Sequence, residues 1–290
     1  MRYQKYIDRF PLLEGKNILI TGSNTGLGFE FARLVLSKKA HLFMAVRNLD
    51  KGNNAIKKLK EEFKDAEITL LKLDQVDKES INEFINKVKE TNLDYFVFNA
   101  GVYIPRNEIK SKEGYNYTLA TNFIGPVRIT EGLLDYFREH NTSLIFVNSC
   151  ARSKVKLMHQ INKRIYYKKE NHKIYSESKH YLMDYSIILA KDNKDLRIIN
   201  VAPGISGTNI LKNNDSKFGN FFAKIGTKVM NIIGNNPEKA GLIILDSTLE
   251  NRVSLDYIVP RGLFHTGGYP KKIKTPFSGV THFEGLEELI

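Results

Sequence analysis

A doubly wound α/β fold, a mainly parallel sheet with helices on both faces, is predicted by three features of the 290-residue sequence. Short apolar runs alternate with amphipathic stretches along most of the chain, the rhythm of successive βαβ units. A glycine-rich turn follows the first apolar run, where a strand hands over to a helix. No Gly/Ser/Pro-rich linker and no internal repeat interrupts the alternation. Residues 1–290 are therefore expected to form a single domain with about seven strands.

The elements follow in order. Asn17–Thr21 (NILIT) reads as a buried strand, and Leu27, Phe31, Leu34 and Val35 mark one face of the next helix. His41–Val46 is a second strand and Lys51–Phe63 a lysine-rich amphipathic helix. Glu67–Leu73 and Leu93–Phe98 are strands three and four, on either side of the helix Ser80–Lys89. Leu119, Phe123, Val127, Thr130, Leu134 and Phe137 recur at spacings of three and four, which predicts one long helix. Ser143–Val147, the helix Lys173–Ala190, Leu196–Val201 and a short strand at Tyr257–Val259 complete the rhythm. Residues 1–14 form an N-terminal arm ahead of it.

Composition bounds the function. Hydrophobic residues make up 42% and charged residues 26% of the chain, enough for a sizeable core. The lone Cys150 excludes an intramolecular disulfide and any zinc site built on paired cysteines. His159, His172, His180 and His265 stand at no metal-ligand spacing, so no metal is expected. The start has no signal-peptide core, and nowhere do about 18 uncharged apolar residues run together. A cytoplasmic protein without a transmembrane segment is the expectation, with peripheral membrane contact left open. The formal net charge of +12 would attract nucleic acid, anionic lipid or a phosphorylated ligand. Lysine is spread along the whole chain, however, as on a plainly solvated surface. No zinc finger, helix-turn-helix or RNA-binding aromatic signature is present, so no nucleic-acid partner is expected.

The chemistry-bearing residues begin at Thr21-Gly22-Ser23-Asn24-Thr25-Gly26-Leu27-Gly28. Glycines at G-x-x-x-G-x-G spacing let the backbone turn tightly and approach a pyrophosphate, while the following helix offers free N–H groups and its positive end. A structural βα turn has some of the same needs, but the position between the first strand and first helix favours a dinucleotide. The second strand ends at Arg47, and positions 44 to 48 hold no Asp or Glu. An acid there would bind the 2′-hydroxyl of NAD, whereas an arginine suits the 2′-phosphate of NADP. Further on, Tyr175 and Lys179 stand four apart on one helix face. An ammonium beside a phenol favours the phenolate, so the tyrosine can exchange a proton with an alcohol or carbonyl near neutral pH.

These motifs occur together with Asn99-Ala100-Gly101 after strand four, Asn122 in TNFIGP, Ser149 after strand five and Pro203-Gly204 after strand six. In order and context the set resembles the short-chain dehydrogenase/reductase family over about residues 15 to 260. The resemblance implies a Rossmann-type fold and an NADP(H)-dependent oxidoreductase acting on a small-molecule carbonyl or alcohol. It implies that Ser149 polarises the substrate carbonyl and that Tyr175 is the general acid or base. Lys179 would hold the nicotinamide ribose and tune Tyr175, and Asn122 would support a proton relay. Gly22, Ser23, Asn24, Thr25, Gly26, Leu27, Gly28, Arg47, Asp74, Gln75, Asn99, Ala100, Gly101, Tyr175, Lys179, Pro203, Gly204, Ile205 and Thr208 would bind the cofactor. Phe98 departs from the family's frequent N-N-A-G. The 26 residues from Ser149 to Tyr175, longer than in compact members, look like the retinol dehydrogenase and protochlorophyllide reductase branch. That branch implies a bulky apolar substrate.

Two stretches break the rhythm. Ala151–His172 carries seven Lys or Arg against one acid, Glu170. It reads either as a recruiter of acidic substrate or anionic lipid, or as a solvated flap. Residues 205–236 hold Phe218, Phe221, Phe222, Ile225, Val229 and Ile232 at helical spacing, which fits an apolar lid, core packing, a subunit contact or a membrane contact. A homo-oligomer is left open. A non-catalytic NADP(H)-sensing or partner-binding protein on the same fold is the alternative reading of the whole chain.

Overall fold

The computed structural model describes residues 2–103, 110–149, 171–204, 236–262, 265, 267–275 and 286. Its elements run α1 (Arg2–Ile7), β1 (Asn17–Thr21), α2 (Gly26–Ser37), β2 (His41–Val46), α3 (Leu49–Glu62), β3 (Ile68–Lys72), α4 (Lys78–Lys89) and β4 (Tyr95–Phe98). Then come α5 (Tyr117–Leu119), a π-helical turn (Ala120–Ile124), α6 (Gly125–Gly132), α7 (Leu134–Glu139) and β5 (Ser143–Val147). The last are α8 (Asn171–Asp192), β6 (Ile198–Val201), α9 (Pro237–Asp246), β7 (Asp256–Pro260) and β8 (Pro270–Lys274). The strands form one sheet in the order β3-β2-β1-β4-β5-β6-β7-β8. The pairings from β3 through to β7 are parallel. Strand order reverses between β1 and β4, and a crevice opens at the carboxyl ends beside such a switch point.

Period-two alternation supplies two cores, one on each face of the sheet. Leu19, Phe96, Phe98, Leu144 and Phe146 pack on one side against Phe84 and Val88 of α4, Val127 of α6 and Tyr181 of α8. Ile18, Ile20, Val97, Ile145 and Ile199 pack on the other against Phe31 and Val35 of α2 and Leu242 and Ile243 of α9. Burying each large side chain contributes about 1.5–3 kcal/mol, and strands buried on both faces read as near-continuous apolar runs. Side-chain caps begin the flanking helices: Asn48 accepts from the Lys51 N–H, Asp77 from Glu79, and Asn236 from Lys239.

Two expectations need correction, and one region holds more structure than its sequence showed. The sheet has eight strands, because Pro270–Lys274 adds an antiparallel edge to β7. PKKIK has no run of buried apolar residues to betray a strand, since only Pro270 and Ile273 turn inward and the lysines blunt the edge. The N-terminal arm contains a helix that docks onto the sheet layer. There Tyr6 stacks on Tyr269 at 4.5 Å, the Tyr3 hydroxyl donates to the Glu238 carbonyl at 3.2 Å, and Ile7, Phe10 and Leu13 are buried. Finally, the stripe from Leu119 to Phe137 is three short helices and a π-helical turn. The stripe kept its apolar spacing, which is why the pattern read as one helix.

Candidate active site

The glycine turn after β1, Arg47 after β2 and the tyrosine motif of α8 meet in one cavity of about 770 Å³. Its floor is the β1–α2 turn. Gly22 sits at φ +69°, and a Cβ there would stand 2.9 Å from the Cα of Ala100. A Cβ on Gly28 would stand 2.4 Å from the Gly22 carbonyl oxygen. Only hydrogen atoms fit in either place. Asn99 fastens the turn to β4, its amide nitrogen donating to the carbonyls of Thr21 at 2.9 Å and Gly22 at 3.2 Å. The Thr21 hydroxyl oxygen accepts from the N–H groups of Asn99 and Ala100 at 3.1 and 2.9 Å.

The opposite wall holds the proton-transfer residues. Ser149, Tyr175 and Lys179 all line the cavity, with Ser149 and Tyr175 half-buried. Tyr175 and Lys179 lie one turn apart on α8. The Lys179 ammonium is buried and donates to the Val147 carbonyl at 2.8 Å. Burial lowers its pKa to about 8, because the low-dielectric surroundings disfavour the cation. Asn122 sits in the π-helical turn. Its oxygen accepts from the Val102 N–H at 2.8 Å, and its nitrogen donates to the Val102 carbonyl and the Ser178 hydroxyl, both at 3.0 Å. Such single π turns inside helices recur at functional sites, where they re-aim one side chain. Gly101 closes this corner: a Cβ there would lie 3.3 Å from Asn122 Oδ1 and 3.4 Å from Lys179 Nζ.

At the far end Arg47 and Tyr117 line the cavity together, and the guanidinium donates to the phenol oxygen. Asp74 and Gln75 follow β3 into the wall. Gln75 is buried and its amide nitrogen donates to the Thr121 carbonyl at 3.0 Å. Gly125 is required here, since a Cβ would come 2.5 Å from the Gln75 carbonyl oxygen.

Of the residues expected at the site, Gly22, Asn24, Thr25, Gly26, Leu27, Gly28, Arg47, Asp74, Gln75, Asn99, Ala100, Gly101, Ser149, Tyr175, Lys179, Pro203 and Gly204 line the cavity. Ser23 and Asn122 are fully buried behind the wall. Ile205 and Thr208 lie outside the described residues, as do almost all of 151–172 and 205–236. Val102, Tyr103, Tyr117, Thr121 and Asn148 also line the cavity and were not anticipated. The signal for Tyr103 was its place two residues after Gly101. Tyr117 and Thr121 stand four apart, and Thr121 directly precedes Asn122.

The residues fit a bound dinucleotide. The Gly22 and Gly28 positions form a cradle that a Cβ would fill, and the buried Ser23 hydroxyl beside it has no hydrogen-bond partner among the described residues. Among the described residues no group of His, Cys, Asp and Glu is arranged to hold a metal ion. Nor is any described helix long and apolar enough to cross a membrane.

A family model for the short chain dehydrogenases matches residues 16–218, and the chain belongs to that family. It is 30% identical over 222 residues to an uncharacterized oxidoreductase of Schizosaccharomyces pombe, across 70% of this chain and 63% of that protein. It is 34% identical over 125 residues to retinol dehydrogenase 12 of Homo sapiens, across 42% of this chain and 39% of that protein. The second likeness, to a retinol dehydrogenase, is in line with the resemblance drawn from the sequence and extends over less than half of either chain. The chain spans about half the length of the curated relatives it matches. Among solved structures, an alcohol dehydrogenase from Thermococcus sibiricus complexed with 5-hydroxy-NADP superposes with a TM-score of 0.65 at 20% identity. That match covers 86% of this chain and 97% of the other, a likeness of fold.

Proposed function

We propose that the chain is an NADP(H)-dependent oxidoreductase that reduces a carbonyl, or oxidises the matching alcohol, on a bulky apolar substrate. The observation that carries this reading is the meeting of the glycine cradle, Arg47, Ser149, Tyr175 and Lys179 in one cavity. The dinucleotide, when bound, supplies or accepts the hydride. The protein's share is position and proton traffic. The Ser149 hydroxyl donates to the substrate oxygen and polarises the carbonyl. Tyr175 gives its phenolic proton to that oxygen in reduction and takes it back in oxidation. Below about pH 8 Lys179 is a cation one helical turn from Tyr175, which stabilises the phenolate left behind. Asn122, fixed to Val102 and Ser178, holds this corner of the site in register.

The arginine at the end of β2, with no acid from 44 to 48, supports NADP(H) over NAD(H). Val102 and Tyr103 in the wall, and the likeness to a retinol dehydrogenase, support an apolar substrate. Residues 205–236 are proposed as its lid and residues 151–172 as a basic rim. The test is NADPH consumption with a panel of aldehydes, ketones and quinones, run beside Tyr175→Phe. Turnover in the parent that is lost in the variant supports the reductase. Tight NADPH binding with equal, negligible turnover in both would favour a sensor instead.

A further inference from the structure

Ser149 stands just beyond the end of β5, where the sheet no longer holds it. The last residue of the strand, Val147, pairs with Val201 of β6, and the Asn148 N–H donates to the Val201 carbonyl at 2.7 Å. By the two-residue alternation of a strand, Asn148 follows Leu144 and Phe146 onto the face that α8 covers. There it is buried. Its amide nitrogen donates to Asn200 Oδ1 of β6 at 2.6 Å, and the Ser186 hydroxyl of α8 donates to the same oxygen at 2.8 Å. Asn200 and Ser186 are fully buried.

α8 therefore grips the end of β5 at two successive residues. Lys179 holds the Val147 carbonyl at 2.8 Å, and Ser186, two turns further along the helix, holds Asn148 through Asn200. As a stabiliser this network is poor. Asn148 Oδ1 and Asn200 Nδ2 are buried with no hydrogen-bond partner among the described residues. Burying an amide group in that state costs stability, which apolar side chains of similar shape in the same layer would avoid. What the network supplies is direction. Three short side chains, each tied by a hydrogen bond, fix the backbone from which Ser149 projects.

We propose that Asn148 is a positioning residue, which through Asn200 and Ser186 aims the Ser149 hydroxyl at the substrate oxygen that Tyr175 also serves. Asn148 reaches the cavity wall, but its amide faces Asn200 and acts through Ser149. The inference rests on the roles proposed for Ser149 and Tyr175 and deepens them: the strand end and the helix that carry the two are set against each other by this network.

The experiment measures kcat, KM and NADPH affinity for the parent, Asn148→Ala, Ser186→Ala, Ser149→Ala and the double variant of Asn148→Ala with Ser149→Ala. The substrate is the aldehyde, ketone or quinone that the parent reduces fastest. Asn148→Ala is expected to lower kcat about 10- to 100-fold, as misplacing a reacting group by about 1 Å does, with NADPH affinity within about twofold. Ser186→Ala, at the far end of the network, should lower kcat about 3- to 10-fold in the same pattern. In the Ser149→Ala background the Asn148 substitution should cost less than about twofold, since the group it aims is gone. Losses that multiply in the double variant, or an unchanged kcat in Asn148→Ala, overturn the positioning while Ser149 keeps its role. A fall in NADPH affinity in step with kcat also overturns it, because a packing defect lowers both. Should Asn148→Ala fail to fold, Ser186→Ala alone and combined with Ser149→Ala decides by the same cycle. A parent that reduces nothing would overturn the oxidoreductase reading, and full turnover in Ser149→Ala the role of Ser149; the positioning falls with either.

Discussion

The ring of Tyr103 meets the ring of Tyr175 edge to face, with centroids 5.5 Å apart and planes at 79°. Both line the cavity, so the proposed acid–base tyrosine leans on a residue that directly follows the Asn99-Ala100-Gly101-Val102 turn. Burial raises the Tyr103 pKa, which leaves it a neutral wall and not an acid–base group. An edge-to-face pair contributes about 0.5–1.5 kcal/mol. Tyr103→Ala should lower kcat/KM about 3- to 10-fold, and Tyr103→Phe should stay within about twofold of the parent. Steady-state kinetics decides, and an equal loss in both variants would assign the role to the hydroxyl.

Tyr175→Phe separates chemistry from binding. The variant keeps the ring that contacts Tyr103 and loses only the proton donor. Turnover should fall by about 10²–10⁴-fold, the usual worth of a general acid, while NADPH affinity stays within about threefold. Fluorescence titration and turnover on the same preparations check it. Full activity in the variant would remove Tyr175 from the proton path.

Much of this architecture was legible because physics writes it locally. β1, β2 and β5 fall on the residues expected, since strands buried on both faces read as unbroken apolar runs. The glycines of the first turn were legible because no other residue fits there. What escaped was set by long-range contact. β8 is a strand only because β7 offers an edge. Tyr3 and Tyr6 are ordered by Glu238 and Tyr269, more than 230 positions away in sequence. At the π-helical turn Asn122 bonds Val102 and the neighbouring Gly125 packs on Gln75, contacts that periodicity does not record.

Lys179 should leave a pH signature on stability. Its pKa falls from an ordinary 10.5 to about 8 on folding, through burial. Between those values the unfolded chain holds a proton that the folded chain has released, so this group's contribution grows more favourable as pH rises. Below about pH 8 both states carry the cation, and the full cost of burying it is present. The stability of Lys179→Met relative to the parent should therefore be greatest below about pH 8 and decline as pH approaches 10.5. Denaturant unfolding of both proteins across that window measures it. A difference independent of pH would mean that Lys179 keeps its proton in the folded state.

Gly28→Ala tests the cradle. The added methyl would lie 2.4 Å from the Gly22 carbonyl oxygen, 2.7 Å from Asn99 Nδ2 and 3.0 Å from Ser23 Cα. Asn99 is the clasp between the turn and β4, so the neighbours cannot give way without opening it. Overpacking of this kind costs about 1–3 kcal/mol of stability, and the displaced turn should weaken dinucleotide binding at least ~10-fold. Gly15→Ala is the matched control. Its φ of +75° strains an alanine, yet nothing lies within 4 Å of its Cβ, and it does not line the cavity. Both variants should lose thermal stability, but only Gly28→Ala should lose affinity for NADPH. If the two bind equally well, the close approach of α2 to the Gly22 turn is a packing device alone, with no part in holding the ligand.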